Sequence, residues 1–435
     1  VSSKVIERPT DITVPATSLW AKLPALAGGV GALGTLATIG MMFGEHKERA
    51  YFSYLFAFMT VLSLALGSLI FVLIQHVARA GWSAVVRRIA ENSAATLPLF
   101  AVLFIPIAFL GFHDLYPWSH ESDKILEAKR WWLGANDGNG SMSKFLMRAV
   151  AFFAVWIGLS YVLRKRSTAQ DALVDDKEKR HDITRSLWAL SAGGIFLYAL
   201  SQSFAAIDWL MSLQPHWYST MFGVYYFAGS MVGFYSFLAL AAMALQKGGM
   251  LKTAITTDHF HDIGKFMFGH TVFWAYVTFS QFMLIWYANI PEETEFFMMR
   301  MEGGWDVLSY AMPVIHFFVP FLFLISRHVK RSRVGLAIGA VWLITVHVLD
   351  IFWIVIPNAG AHHGPPAGAA HGAAGEAVAA AAAHGAHLSI AVTDVTALVG
   401  IAGLFLAAFA YFMKKNAVVC IGDPRLDESL AHENY

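Results

Sequence analysis

The sequence predicts an all-α integral membrane protein of ten transmembrane helices with both termini in the cytoplasm. Three observations predict it. Hydrophobic residues make up 57% of the 435 and charged residues only 14%, where soluble domains carry about a quarter charged. Ten apolar stretches reach the roughly 20 residues that a helix needs to cross the hydrocarbon layer. Most of the 31 Lys and Arg fall in alternate connections, which the positive-inside rule places on the cytoplasmic side.

The elements follow in order. A polar tail, 1–23, carries Lys4, Arg8 and Lys22. It shows no cleavable-signal pattern, because the first apolar run is already long enough to span. Spans one to nine occupy 24–356, at 24–43, 50–75, 93–112, 144–163, 186–210, 217–245, 265–290, 307–326 and 334–356. An Ala/Gly/His-rich loop at 357–390, read as periplasmic, leads to the tenth span at 391–413 and a cytoplasmic tail at 414–435. The cytoplasmic connections hold Arg79, Arg87 and Arg88, the run from Arg164 to Arg185, Lys247, Lys252 and Lys265, then Arg327, Lys330, Arg331 and Arg333. Residues 162–182 read as a solvated linker, with Asp182 or Thr184 capping the fifth span. Asp262 reads first as the cap of the seventh span, with proton gathering at its inner mouth as the alternative for His261 and Asp262.

Four spans run outward into similar endings: GFHDLYPW (111–118), IDWLMSLQPHWYS (207–219), LIWYANIPEET (284–294) and LDIFWIVIPN (349–358). Proline after a helix and Trp or Tyr at the interface are ordinary. They do not account for His113, Asp114, Asp208, His216, Glu292, Glu293 and Asp350 gathering on one side. Asp350 lies about 10 Å below the outer end of its span, with His347 one turn deeper on the same face. Ionisable groups at such depth face a bundle interior or a wet cavity, and a paired acid and imidazole suits proton transfer. The proton-transfer candidates are therefore Asp208, His216, Glu292, Glu293, Asp350, His347, His261 and Asp262. His113, Asp114 and Trp209 are candidate contacts for a bound ligand, a quinol if the resemblance described below holds. His347 reads equally as interhelical glue, and His270 and His316 read as structural. Asp208 and Asp350 each precede a proline, Pro215 and Pro357, by seven residues, four spans apart. This suggests a duplicated four-helix unit, spans two to five and six to nine.

Several chemistries are excluded. One cysteine, Cys420, leaves no internal disulfide, covalent c-type haem or thiolate-held iron–sulfur cluster. There is no Walker loop, strand-linked GxGxxG or HExxH, and the net charge of +1 gives no reason to expect nucleic acid. His362, His363, His371, His384 and His387 are irregularly spaced in Ala and Gly, so the 357–390 loop is expected to touch a partner rather than hold metal.

The segments AIDWLMSLQPHWYSTMFGVYYFAGS (206–230) and FWAYVTFSQFMLIWYANIPEETEFF (273–297), with HDIGKFMF (261–268) before the second, resemble the NrfD/polysulfide-reductase membrane-subunit family. Within it they are similar to the F-subunit type of bacterial alternative complex III, a quinol:cytochrome c oxidoreductase. The resemblance covers most of the ten helices, and the 357–389 loop matches nothing in it. It implies two four-helix bundles plus two flanking helices, in the bacterial inner membrane. It implies as partners a sister ten-helix subunit, an extracytoplasmic iron–sulfur subunit, and multihaem and monohaem cytochrome c subunits. The haems and clusters would sit in those partners, and menaquinol or ubiquinol would be the substrate. Asp208, His216, His261, Asp262, Glu292 and Glu293 lie within the matching segments.

The function expected is a proton-handling, quinol-contacting subunit of a quinol-oxidising electron-transport complex, with Asp208 and His216 at the mouth of a proton exit or quinol pocket. Quinol oxidation yields two electrons and two protons, and this chain offers no resident electron acceptor. Three rivals stand beside it: a scaffold whose outer acids anchor partners, a secondary transporter, and a b-type cytochrome using His316 and His347.

Overall fold

The computed structural model describes residues 9–45, 47–120, 124–134, 139–360 and 387–434. Most of the 357–390 loop, with His362, His363, His371 and His384, lies outside the described residues, as do Lys4 and Arg8. Among the described residues the chain is all-helical, without strands. Nine helices are long and apolar enough to cross a membrane. They are α1 (Leu19–Met41), α2 (Lys47–Val77), α3 (Ala84–Phe109), α4 (Ser141–Asp171), α5 (Lys177–Leu213), α6 (Phe222–Lys247), α8 (Trp305–Leu324), α9 (Arg333–Asn358) and α10 (Val392–Lys415). The seventh expected span falls on α7 (Thr257–Ala288), which has 32 residues but is not among the nine. Asp258, His259, His261, Asp262, Lys265 and His270 punctuate its first half.

Helices α2 to α5 pack against one another, α6 to α9 form a second group, and α2 and α6 join the two. Helix α2 is the axis, buried on every side from Ala50 to Phe58. Helix α1 exposes Leu26, Val30, Leu33 and Leu36 and packs on α10. The seam between them is made of glycine. A Cβ at Gly31 would come 2.5 Å from the Leu404 backbone nitrogen, and one at Gly400 would come 2.5 Å from that of Thr35. In lipid the association of two apolar helices gains little from hydrophobicity and depends on such close packing. A Thr38–Thr396 hydroxyl contact at 2.9 Å crosses the same seam.

Two basic residues at the start of α2 pair with acids elsewhere in the chain. Arg49 bridges to Asp394 at 2.5 Å, tying α2 to α10, and Lys47 bridges to Asp114 at 3.0 Å. On the opposite face the two tails meet: Val418 N–H donates to the Ile12 carbonyl at 2.8 Å, and Leu251 N–H to that of Asp11 at 3.1 Å. Both tails therefore lie on one side of the bundle.

That face corrects two expectations. Residues 162–182 are not a solvated linker. Helix α4 runs to Asp171 and α5 starts at Lys177, leaving a turn of a few residues. The cap of α5 is Asp176, whose carboxylate accepts from Lys179 N–H at 3.0 Å, rather than Asp182 or Thr184. The C-terminal tail lies over this turn. Gly422 N–H donates to Asp171 at 3.0 Å, Arg88 bridges Asp171 at 2.6 Å, and Arg87 pairs with Asp423. A Cβ at Gly422 would fall 2.1 Å from the Gln170 carbonyl oxygen, so only glycine fits. Cys420 is buried here, and burial pushes its thiol up to about 12, which makes it an inert hydrophobe.

Candidate functional site

Asp350 is buried near the outer end of α9. Its carboxylate accepts from the Tyr225 hydroxyl of α6 and from Trp274 Nε1 of α7 at 3.0 Å. One turn deeper, His347 Nε2 meets Ser63 Oγ of α2 at 2.8 Å, while its Nδ1 has no partner. The acid and imidazole can approach α6 because Gly229 and Gly233 face them. A Cβ at Gly229 would lie 3.2 Å from the His347 ring, and one at Gly233 only 2.9 Å from it. Four helices thus converge on one acid–imidazole pair, as the i, i+3 spacing predicts.

The carboxylate is part of the lining of a cavity of about 650 Å³. Its walls are apolar and aromatic, with Phe279 and Phe282 from α7, Tyr310 and Phe318 from α8, and Trp353 from α9. A mostly apolar cavity with a few convergent polar groups is the usual form of a small-molecule site, and this volume lies in the usual range of roughly 300–1,000 Å³. Helix α8 is distorted beside it. Pro313–Phe318 forms a π-helical turn, in a helix where Pro313 and Pro320 have no N–H to give. Such turns cluster at functional sites. The turn carries His316, which is fully buried, stacks on Trp274 with centroids 3.6 Å apart, and has both ring nitrogens without a partner.

A haem held between His316 and His347 does not fit. Neither imidazole lines the cavity, and His347 Nε2 is engaged by Ser63.

Asp208 occupies a different setting. It is fully buried, bridged by Arg148 Nε of α4 at 2.7 Å, and accepts from Trp132 Nε1 at 3.0 Å. The Arg148 guanidinium also lies 4.8 Å over the Trp132 ring and donates to the Trp132 carbonyl. His216 does not join it. The charge that faces His216 is Glu295, whose carboxyl is raised by burial and lowered by that imidazole. Glu292 is exposed at the start of the short helix Pro291–Met298. The Glu293 backbone carbonyl accepts from Trp217 Nε1 at 3.0 Å. His113 is exposed and contacts Ser119 at 3.1 Å, and Asp114 pairs with Lys47. Trp209 is sealed among Phe104, Phe153 and Trp156. None of His113, Asp114, Trp209, Asp208 or His216 lines the Asp350 cavity.

At the other face, Asp262 is not a helix cap. Thr256 caps α7, its hydroxyl meeting His259 Nδ1 at 2.9 Å. Asp262 instead receives Lys265 at 2.8 Å and His432 of the tail at 2.5 Å. Burial raises its carboxyl, but the bonds from Lys265 and His432 outweigh this and hold it below the usual range. His261 beside it is lowered by burial and by Lys265. Asp262 thereby docks the tail.

Arg300 was not visible as a site residue. It is fully buried beneath the outer surface, donating to the Trp353 and Ile354 carbonyls at 2.9 and 2.7 Å and to that of Phe296 at 2.6 Å. Burial pulls its guanidinium down to about 9, while the nearby Tyr225 opposes this. It therefore caps the outer end of α9 and places a cation near the Tyr225–Asp350 pair. Arg148, Tyr225 and Trp274 were missed with it, because each reaches its acid from a distant helix. A lone Arg within an apolar span was the one available signal.

Among the described residues, the fold and this site define a helical multi-pass membrane protein with an aromatic cavity whose lining includes a buried carboxyl group. No protein-family model matches the chain, and no curated protein matches it.

Proposed function

We propose that the chain is the proton-handling, quinol-contacting membrane subunit of a quinol:acceptor oxidoreductase, built from two four-helix units flanked by α1 and α10, with α7 counted as a tenth span. The observation that carries this is the aromatic cavity with Asp350 in its lining. A quinol is a flat, apolar ring with two hydroxyl groups. The cavity offers aromatic walls and, in its lining, a carboxylate able to accept one hydroxyl proton, with a phenol hydrogen-bonded to that carboxylate. Oxidation of the quinol releases two electrons and two protons. The electrons would pass to haem or iron–sulfur groups of partner subunits, while Asp350 would take up the two protons in turn as general base, passing the first on to solvent before accepting the second.

The mouth of the proposed site thereby moves from Asp208 and His216 to Asp350. Asp208 is committed to the Arg148 guanidinium at 2.7 Å and to the Trp132 indole at 3.0 Å, away from that cavity. The scaffold reading keeps one supporting observation, the exposed Glu292 at the outer surface. Asp208 and Asp114 speak against it, since both pair within the chain.

A photoactivatable azidoquinone applied to native membranes tests the proposal. Labelling is expected on α7 and α8, between Val272 and Phe318, and should be competed by unlabelled quinol. Labelling confined to other helices, or none that quinol competes, would move the site elsewhere.

A further inference from the structure

A second, smaller cavity of about 190 Å³ lies on the opposite face, where α2 ends, α5 begins and the C-terminal tail crosses. At about 30 Å³ for each water it holds roughly six. Its character is the reverse of the first. Arg79, Arg87, Arg185 and Arg425 line it, together with His76 and His181. The one acid on its wall is Asp423, and Arg87 engages that carboxylate. Arg185 has only the solvent-exposed Asp182, at 3.3 Å, a pairing of little strength in water.

Two buried atoms of the lining lack partners. His76 Nε2 and Gln75 Oε1 make no hydrogen bond, although His76 is only 6% exposed and Gln75 3%. An unmet imidazole nitrogen beside uncompensated guanidinium groups suits an anion that brings oxygen atoms. Arg79 is also held unusually. Its φ of 50° is one of three positive values among the described non-glycine residues, a conformation that side chains rarely adopt. Its guanidinium lies 5.1 Å over the ring of Trp188, itself 38% exposed. The cavity sits where α2 leaves its apolar run and α5 enters its own, the level at which tryptophan and lipid headgroups meet.

We propose that this cavity binds a phosphate group, held by Arg79, Arg425 and the His76 imidazole, and that its source is the headgroup of an anionic phospholipid in the adjacent leaflet. Basic pockets between spans on the positive-inside face are suited to such headgroups. The Trp188 ring and the apolar flank of α5 would receive the start of the acyl chains, which a free phosphate would not need.

The test uses the full chain, purified and delipidated, with phosphatidylglycerol, phosphatidylcholine and inorganic phosphate titrated separately under native mass spectrometry. One phosphatidylglycerol is expected to bind in preference to phosphatidylcholine. The R79Q/R425Q variant should weaken it about 30-fold, at roughly a fivefold loss for each cation near the membrane surface. The milder R185Q, at an exposed position, guards against a folding defect and should weaken it about fivefold. Inorganic phosphate bound by the native chain and lost in R79Q/R425Q, without retained lipid, would keep the phosphate site and overturn the lipid source. Equal retention of both lipids by the native chain and R79Q/R425Q, with no phosphate binding, would overturn the proposal.

Discussion

Asp208 and Asp350 each accept an indole N–H at 3.0 Å, from Trp132 and Trp274 respectively, yet Asp208 also meets a guanidinium where Asp350 meets a phenol. The two acids stand at matching places, seven residues before a proline at the outer ends of α5 and α9. The two indoles come from elements that do not correspond in the suggested repeat, Trp132 from the connection between α3 and α4 and Trp274 from within α7. The difference separates their roles. Asp208 has a cationic partner in Arg148, whereas the described donors to Asp350 are neutral.

Asp350→Asn should therefore lower quinol oxidation by the assembled complex by about 10²-fold or more, the usual contribution of a general base. Subunit assembly should be unchanged. Steady-state quinol oxidation in native membranes, with a blot for the partner subunits, measures both. Normal activity at normal assembly would remove Asp350 from the chemistry.

Asp208→Asn should act on stability instead. Removing one partner of a buried ion pair strands the other charge at a cost of about 3–5 kcal/mol. The thermal midpoint in detergent should fall, and Arg148→Met added to Asp208→Asn should recover much of the loss. A normal midpoint combined with lost turnover would restore Asp208 as a proton carrier.

Gly403→Leu should open the α1–α10 seam, because a Cβ there would come 2.8 Å from Gly31 Cα. Overpacking of this kind typically costs about 1–3 kcal/mol. A cysteine pair at positions facing across the seam should then crosslink less efficiently than in the native chain.

The docked tail should loosen in acid, in two steps. Burial pulls His259 down to about 4 from an ordinary 6.5, with His432 adding to this. A histidine whose folded value is lowered contributes stability in full above 6.5 and loses it as pH falls from there towards 4. Asp262, held below 3.8, keeps its contribution above that value and loses it only as pH falls further. Hydrogen exchange of residues 416–434, corrected for intrinsic rate, should show protection falling first between pH 6.5 and 4. Lys265, Asp258 and His432 face the same cluster, and uniform protection down to pH 4 would remove His259 from it.

The fold class was legible because hydrocarbon imposes a length and composition that few other sequences meet. Asp350 and His347 were legible too, since helical spacing places them on one face whatever surrounds them. Their partners were not. Tyr225 and Trp274 look like ordinary aromatics of a span, and only packing turns their polar atoms towards the acid. Asp208 misled for the opposite reason. Its own connection holds no cation, while Arg148 arrives from 60 residues away and neutralises it. The tail was unreadable because its docking rests on single contacts, such as Gly422 against Gln170, which leave no periodic trace.

The glycine seam also orders the assembly of the molecule in time. Helix α1 emerges before the other described spans, and its closest partner, α10, is the last of them to be made. Until then the notch at Gly31 and Gly34 faces lipid, open to whichever small-residue helix comes by. Synthesis therefore leaves a waiting interface in the membrane for as long as the eight intervening helices take to appear, and insertion of α10 is the event that closes it.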